Sequence, residues 1–472
     1  MNKKNKVLFK NLAIFALGSV GSKLILFLLV PVYTNYMTKD EYGIADLVFT
    51  VGQILVPFVS AGIFNAVIRF GISKNYKREN VLRNACLIAA AGTVLMVSIT
   101  PVFGLFPSLR EWKWFLFLYV ISDLYSSIGC NYLKAKENNR AYAFISIIRT
   151  AVLAGLNIFL LVFLNKGVRG YLSSTIIASG VAFIFAVIAG KTVTDLRRSH
   201  PDRSLLKEML AYSAPLILNG VSWWVIHSSD KIMIKVMISA AALGLFSVAG
   251  KIPSVINVIV WVFSQAWDIS SIKEIEDARD TGFFARVFSM YSFSTFLVAI
   301  IAIGLTKPFM AIYVGAEFRE CWVFVPLLLV SAANNAIATY FGCFYTALKK
   351  SRLSMYSTLV AAAVNVVVNF SLIPFIGIWG AVIGTLVSYI ALALFRMITV
   401  LKLIAISIDL RSFIISYLLV LAAAIAVSLD FYVYISSAVV LVLFIAVNRK
   451  YAVETIKKAA QTVSGLLKKG KQ

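Results

Sequence analysis

The sequence has few charged residues and very few acidic ones. Of its 472 residues, 14% are charged and only 21 are aspartate or glutamate, whereas 60% are hydrophobic. The mean hydropathy is +0.87. Soluble domains carry about 25% charged residues, so this chain lacks the polar side chains that would cover a water-exposed surface. Lipid is therefore the expected solvent, and a soluble enzyme is excluded.

Cysteine and histidine are also scarce, which argues against metal and redox chemistry. The four cysteines are far apart and form no C-x-x-C pair, and there are only two histidines. Cysteines that are dispersed in apolar segments usually act as small, buried hydrophobic side chains. The Gly-Lys-Thr string at 190–192 lacks the upstream glycine of a phosphate-binding loop, because that position is Phe185. No cofactor and no metal site are predicted.

Apolar runs of about 20 residues recur along the whole chain, and each is long enough to cross a bilayer as a helix. They predict an all-α integral membrane protein with about fourteen transmembrane helices. The predicted spans are 11–33, 44–66, 84–106, 113–133, 141–164, 168–190, 210–229, 241–265, 283–306, 322–347, 353–374, 376–400, 412–429 and 431–448.

Positive charge is distributed unequally between alternate connecting segments. Of the 45 lysines and arginines, 33 lie in one set of segments, 9 in the other and 3 inside spans. Because the side richer in lysine and arginine faces the cytoplasm, both termini are predicted to be cytoplasmic and the number of spans to be even. This distribution explains the net charge of +24 without a nucleic-acid partner, and none is expected.

Two segments, 140–185 and 352–396, can be aligned with a gap of two residues. At equal offsets they share an asparagine (Asn157, Asn369), a G-x-x-G turn (167–170, 377–380) and a threonine (Thr175, Thr385). Both copies begin on the predicted cytoplasmic side, and parallel repeats of this kind are typical of transporters. Chance similarity between apolar helix pairs is the alternative.

The repeat predicts two pseudo-symmetric six-helix bundles followed by two further helices. The predicted division is an N-terminal lobe (1–190), a cytoplasmic linker (191–209), a C-terminal lobe (210–402), and two extra helices with a basic tail (403–472).

Five charged residues lie within apolar runs: Lys23, Asp46, Asp123, Arg149 and Lys251. Arg286 and Arg396, near the ends of spans, are counted with the richer set of connecting segments. A charge at the centre of a spanning helix costs about 2.5–3.5 kcal/mol, so such residues usually face protein or water. One interpretation is that Lys23, Arg149 and Lys251 form a cationic cavity for a phosphate or diphosphate, with Asp46 and Asp123 pairing with them or coupling to an ion. The other is structural salt bridges between helices, for example Asp123 with Arg149. Asp46 is also near the predicted outer interface, where exposure to water would explain it.

Several spans carry polar residues at helical spacing, which indicates faces lining a water-filled cavity. The eighth span carries Ser247, Lys251, Ser254, Asn257, Trp261 and Gln265, and the fifth carries Ser146, Arg149, Thr150 and Asn157.

A set of short motifs follows the lysine-rich start of the chain in a defined order. They are Gly18, Gly21 and Lys23, then Pro31, Thr34 and Tyr36, then Glu41-Tyr42-Gly43-Ile44, Ala66–Phe70 and Ser229-Asp230-Lys231. In order and spacing this pattern resembles the Wzx-type polysaccharide flippases of the multidrug/oligosaccharidyl-lipid/polysaccharide (MOP) exporter superfamily, over essentially the whole chain.

The resemblance implies two six-helix bundles that alternate between inward and outward openings, as in MATE and MurJ. The implied substrate is an oligosaccharide on an undecaprenyl-diphosphate carrier, moved to the outer leaflet of the bacterial cytoplasmic membrane. Lys23, Arg149 and Lys251 would form the family's cationic cavity, with Arg69 and Lys231 as weaker candidates at its mouths. H⁺ or Na⁺ is the candidate coupling ion, and other polysaccharide-assembly proteins are candidate partners.

Other functions remain open at this point. A cation or drug exporter on the same fold would need buried acidic residues, and the charges inside the spans are mostly positive. The lipid II flippase branch is a further alternative. A membrane glycan polymerase or ligase would present a sizeable outer loop with catalytic carboxylates or arginines, whereas the longest predicted outer loop is 307–320. A scaffold without transport activity is the last alternative.

Overall fold

A computed structural model describes residues 21–453, except residues 22, 74, 278–280 and 405, and within that part of the chain every regular element is a helix. The helices are α1 (Val30–Tyr36), α2 (Lys39–Val59), α3 (Ile63–Ile72), α4 (Arg78–Phe103), α5 (Pro107–Arg110), α6 (Lys113–Ala135), α7 (Asn139–Asn157), α8 (Gly167–Gly190), α9 (Thr192–Arg198), α10 (Arg203–Met237), α11 (Ala240–Ala249), α12 (Lys251–Asp277), α13 (Thr281–Tyr313), α14 (Val325–Ala347), α15 (Ser351–Ile376), α16 (Ile378–Leu403), α17 (Leu410–Ser428) and α18 (Val433–Val447). A π-helical turn (Ile158–Phe163) extends α7, and a 3₁₀ segment (Ala316–Phe324) precedes α14.

Ten helical stretches in the described part of the chain are long and apolar enough to cross a membrane, or eleven if α11 and α12 form one bent span. Three more apolar helices are shorter: Lys23–Tyr36, Ile63–Ile72 and Val433–Val447. The predicted class, an all-α multi-pass membrane protein, is confirmed. The count of fourteen spans stays a prediction.

Two predicted spans are each divided into two helices. The span predicted at 44–66 consists of α2 and α3, because Ala61 and Gly62 have positive φ values of 48° and 62° and turn the chain between them. The span predicted at 241–265 consists of α11 and α12, which are bent by 42° at the break. Both breaks lie in apolar sequence, so hydropathy alone did not reveal them.

The chain forms two compact units. The first extends to Val248 and includes Tyr313–Phe318, and the second comprises Ala249–Ile312 and the chain from Arg319 onward. In the first unit α6 is central and packs against α2, α3, α4 and α8. In the second unit α14 is central and packs against α12, α16 and α17. The division into lobes at 190–210 stays a prediction.

The two repeated segments have the same backbone conformation at their turns. Gly167 and Gly377, the first glycines of the two G-x-x-G turns, have φ values of +48° and +60°. The second glycines also face the preceding helix: a Cβ on Gly170 would lie 3.1 Å from Leu160 Cβ, and one on Gly380 would lie 2.5 Å from Ile373 N. The positive φ values favour glycine at the first position of both turns, and close packing favours it at the second.

The Glu-Tyr-Gly motif at residues 41–43 has three separate structural roles. Thr38 and Glu41 form a capping box at the start of α2, in which the Thr38 N–H donates to the Glu41 carboxylate at 2.9 Å. The Tyr42 side chain is buried. Gly43 lies where a Cβ would be only 1.9 Å from the Ala240 carbonyl oxygen, so the first turn of α11 contacts α2 closely.

Candidate functional site

The first cluster of intramembrane charge lies at the central helix of the first unit. Arg149 on α7 donates from one nitrogen, Nη2, to Asp123 Oδ1 on α6 at 2.9 Å and to Ser179 Oγ on α8 at 2.9 Å. The ion pair that the sequence left open as an alternative is therefore present. A guanidinium has five N–H donors, and the Arg149 side chain is 38% exposed. The arginine is thus oriented by two neighbouring helices and still accessible to a ligand.

The second cluster is centred on Asp46. Its Oδ2 atom lies 2.9 Å from Lys231 Nζ on α10 and accepts a hydrogen bond from the Ser247 hydroxyl on α11 at 2.8 Å. Asp46 is buried, and so is Asp230. The interpretation of Asp46 as a water-exposed residue at the outer interface is therefore wrong, because α10 and α11 cover it. Lys231 was predicted only as a weaker candidate at the mouth of the cationic cavity, but it is the ionic partner of Asp46.

The contact between α2 and α11 positions this cluster. A Cβ on Gly244 would lie 2.2 Å from the Lys39 carbonyl oxygen, as one on Gly43 would overlap Ala240. Small residues that let two backbones approach in this way are typical of membrane helix interfaces. Because α11 lies directly against α2, Ser247 is within hydrogen-bonding distance of Asp46.

The remaining predicted cations have different environments. Lys23 has an exposed side chain, and so has Arg69 on α3. Near Arg69, the Tyr76 hydroxyl donates to Glu208 at 2.5 Å, and this hydrogen bond raises the pKa of Tyr76. Lys251 is half-buried at the first position of α12, in the second unit. Because these cations are divided between two units, their grouping in one cavity stays a prediction.

One buried cation was assigned to the wrong environment from the sequence. Arg396 was counted among the cytoplasmic loop charges, but it is buried within α16. It donates to Ser357 Oγ at 3.1 Å and to the Ala338 carbonyl at 3.1 Å, which ties α16 to α15 and α14. The mostly apolar residues at 397–401, which follow Arg396 directly, were the available signal. A structural role fits this geometry.

Comparison with known proteins defines the family. A family model described as "Polysaccharide biosynthesis protein" matches residues 8–267, more than half of the chain. The chain therefore belongs to this polysaccharide biosynthesis protein family. A Lsg locus protein of Haemophilus influenzae is 21% identical to it over 386 residues, which is 79% of this chain and 95% of that protein.

Two solved structures show the fold. A lipid II flippase, MurJ, in an inward closed conformation matches with a TM-score of 0.69 at 11% identity, covering 93% of this chain and 100% of that one. An inward-facing multidrug resistance MATE family transporter of the MOP superfamily matches with a TM-score of 0.67 at 15% identity, covering 81% and 95% of the two chains. The predicted resemblance is therefore confirmed in fold by these MOP-type structures, and the family shown is that of the polysaccharide biosynthesis proteins.

Proposed function

We propose that this protein is a flippase for lipid-linked oligosaccharides in the bacterial cytoplasmic membrane, with both termini in the cytoplasm. It moves repeat units on an undecaprenyl-diphosphate carrier from the cytoplasmic to the outer leaflet by alternating access. The observation that carries the proposal is the combination of a polysaccharide biosynthesis family with the MOP fold. A diphosphate lipid needs cations within the membrane, and Lys23, Arg149 and Lys251, with Arg69 and Lys231 in support, are the candidates.

Arg149 is the best-supported member of this set. Its ion pair with Asp123 fixes the guanidinium, and its exposure leaves donors available for a phosphate oxygen. Arginine binds phosphate groups through paired N–H donors, so an oriented guanidinium suits a diphosphate.

Export of cations is the second candidate, because a MATE multidrug transporter shares the fold. Such a function needs carboxylates that are available to hold the exported cation. In the first unit, however, Asp46 and Asp123 each contact a basic side chain of this chain. This pairing favours the flippase, although H⁺ or Na⁺ coupling through either aspartate remains part of the proposal.

A glycan polymerase or ligase has less support. The segment predicted as the longest outer loop is mostly helical, since α13 ends at Tyr313 and the 3₁₀ segment begins at Ala316. Of the charged side chains in that segment, Glu317, Arg319 and Glu320 are exposed. These side chains lie on one short 3₁₀ segment, and exposed charges of this kind are poor support for a catalytic site.

The test separates substrate contact from structural pairing at Arg149. Arg149→Ala should reduce polysaccharide export per molecule at least about tenfold, the effect of losing about 1.4 kcal/mol of binding. Asp123→Ala should mainly lower membrane abundance, because it leaves Arg149 without its carboxylate. The double variant should recover abundance but not export. Export that recovers along with abundance would show that Arg149 is only a structural partner.

Lys23→Ala and Lys251→Ala should likewise lower export at unchanged abundance. Lys166→Ala is the matched control, because this exposed lysine at the start of α8 has no proposed role. Full export from all three single variants at Lys23, Arg149 and Lys251 would exclude the cationic site.

A further inference from the structure

Helix α12 in the second unit has a polar and aromatic side that the cationic site does not use. Its members, together called the α12 strip, are Ser254, Asn257, Trp261, Ser264 and Gln265. With 3.6 residues per turn, these five positions fall within an arc of about 100°. The strip contains no ionised side chain, so it differs in chemistry from Lys251 at the start of the same helix.

The side of α12 adjacent to the strip accounts for much of the packing of this helix. Ile256, Val260 and Trp267 are buried there. Trp267 donates its indole N–H to the Tyr340 carbonyl on α14 at 3.3 Å, and its ring stacks on that of Tyr340 at 4.9 Å. Apolar and aromatic packing on that side therefore attaches α12 to the core of its unit, and the strip adds the Asn257–Asn335 hydrogen bond.

Side chains of the strip are accessible and partly oriented. Trp261 is 37% exposed, and Ser254 and Gln265 are exposed. Asn257 is half-buried, and its Oδ1 accepts a hydrogen bond from Asn335 Nδ2 on α14 at 3.0 Å, which fixes the amide plane. A carboxamide both donates and accepts hydrogen bonds, so Asn257 Nδ2 is oriented as a donor.

This chemistry matches a sugar better than it matches lipid or a diphosphate. The Ser254 and Ser264 hydroxyls donate to the Lys251 and Trp261 carbonyls of their own helix at 2.6 and 2.8 Å. Lipid chains offer no partners to the carboxamides of Asn257 and Gln265, and polar side chains in a spanning helix are costly unless they meet protein, water or a ligand. A diphosphate would need cations. Sugar hydroxyls both donate and accept hydrogen bonds, as carboxamides do, and the C–H face of a sugar ring is an apolar surface for an indole. Sites that combine aromatic surface with a few oriented polar groups are typical of small-molecule recognition.

The spacing along α12 separates the strip from Lys251. At 1.5 Å per residue, Trp261 lies about 15 Å and Gln265 about 21 Å along the axis from Lys251. A diphosphate at Lys251 would therefore not reach Trp261, whereas the oligosaccharide attached to it would.

We propose that the α12 strip binds the sugar portion of the lipid-linked substrate, with Trp261 packing against a sugar ring and Gln265 and Asn257 hydrogen-bonding to its hydroxyls. The proposal rests on the proposed flippase function and adds to it a site for glycan recognition that is distinct from the cations.

The experiment compares two lipids on the purified full-length protein in nanodiscs. One probe is undecaprenyl diphosphate without sugar, and the other is the lipid-linked oligosaccharide extracted from a host strain that lacks this protein. Trp261→Ala should weaken binding of the sugar-bearing lipid at least about tenfold and leave binding of undecaprenyl diphosphate unchanged. Trp261→Phe, which keeps an aromatic ring, should retain most of the affinity.

Two further variants keep the test decisive. Gln265→Leu removes hydrogen-bonding groups at similar volume and should show the same selective loss even if Trp261→Ala folds poorly. Trp114→Ala is the matched control, because this exposed tryptophan lies on α6 in the first unit. If Trp261→Ala and Gln265→Leu weaken binding of both lipids equally, or weaken binding of neither, the proposed role of the α12 strip is wrong. A wild-type protein that binds neither lipid would instead contradict the proposed function itself.

Discussion

Two carboxylates in the first unit each contact a cation that belongs to another helix. Asp123 faces Arg149 across α6 and α7, and Asp46 faces Lys231 across α2 and α10. Ionised groups removed from water are costly unless they are paired and hydrogen-bonded. Ser179 and Ser247 supply additional hydrogen bonds in the two clusters, so each charged pair is supported by a third helix.

The pairing at Asp46 can be tested by removing one charge and then both. Lys231→Met leaves a buried carboxylate without its cation and should lower the free energy of unfolding by roughly 2 kcal/mol. This is less than the 3–5 kcal/mol for fully buried pairs, because Lys231 remains 23% exposed. Adding Asp46→Asn should restore much of the loss. Thermal unfolding in detergent measures both effects, and a double variant no more stable than Lys231→Met would argue against the pair.

Residue-level prediction succeeded where the two partners lay on neighbouring spans and failed where they lay far apart in sequence. The charge at Arg149 and its pairing with Asp123 could be inferred as alternatives from two neighbouring spans. The partner of Asp46 could not, because Lys231 follows it by 185 positions and proximity depends on tertiary packing. Arg396 was misassigned because it lies near the end of an apolar run, where hydropathy does not distinguish a buried charge from a loop.

At the scale of helices, close backbone contact between α2 and α11 organises the Asp46 cluster. A helix interface that brings backbone atoms together leaves no room for a side chain, so it depends on glycine at the crossing point. The contact at Gly43 and Gly244 also explains why the Glu-Tyr-Gly motif ends in glycine. The sequence pattern alone did not supply this explanation.

Gly43→Ala should therefore destabilise the protein. The added Cβ would lie 1.9 Å from the Ala240 carbonyl oxygen, and relieving such a clash by shifting the backbone costs about 1–3 kcal/mol. Gly180→Ala in α8 is the control, since a Cβ there meets nothing within 4 Å and alanine favours a helix. The melting temperature should fall for Gly43→Ala and stay equal or rise for Gly180→Ala. Equal stability of the two variants would contradict the close contact.

Helix positions were predictable because the backbone of a spanning segment must satisfy its own hydrogen bonds in lipid, so apolar runs of sufficient length become helices. Breaks within those runs were not predictable from hydropathy. The turn at Ala61 and Gly62 and the bend between α11 and α12 depend on local backbone geometry and on contacts. The G-x-x-G turns were recognisable as repeats, but their positive φ values became clear only from the structure.

At the scale of the whole molecule, the distribution of positive charge makes a prediction about orientation. Single cysteines placed at Arg110 or Lys166, in a variant without the four native cysteines, should react with a membrane-impermeant maleimide added to intact cells. Cysteines placed at Asn75 or Glu137 should react only after permeabilisation, because their segments are predicted to be cytoplasmic. The opposite pattern would reverse the topology, and with it the proposed direction of transport.

The most direct test of the proposed function is the distribution of lipid-linked oligosaccharide between the two leaflets after deletion of the gene in its own host. The flippase account predicts that complete repeat units accumulate in the cytoplasmic leaflet and that surface polysaccharide is lost, with both effects reversed by the wild-type gene. Complete but unpolymerised units in the outer leaflet would contradict this account and favour a polymerase, and an unchanged distribution would contradict any role in carrying the oligosaccharide across the membrane.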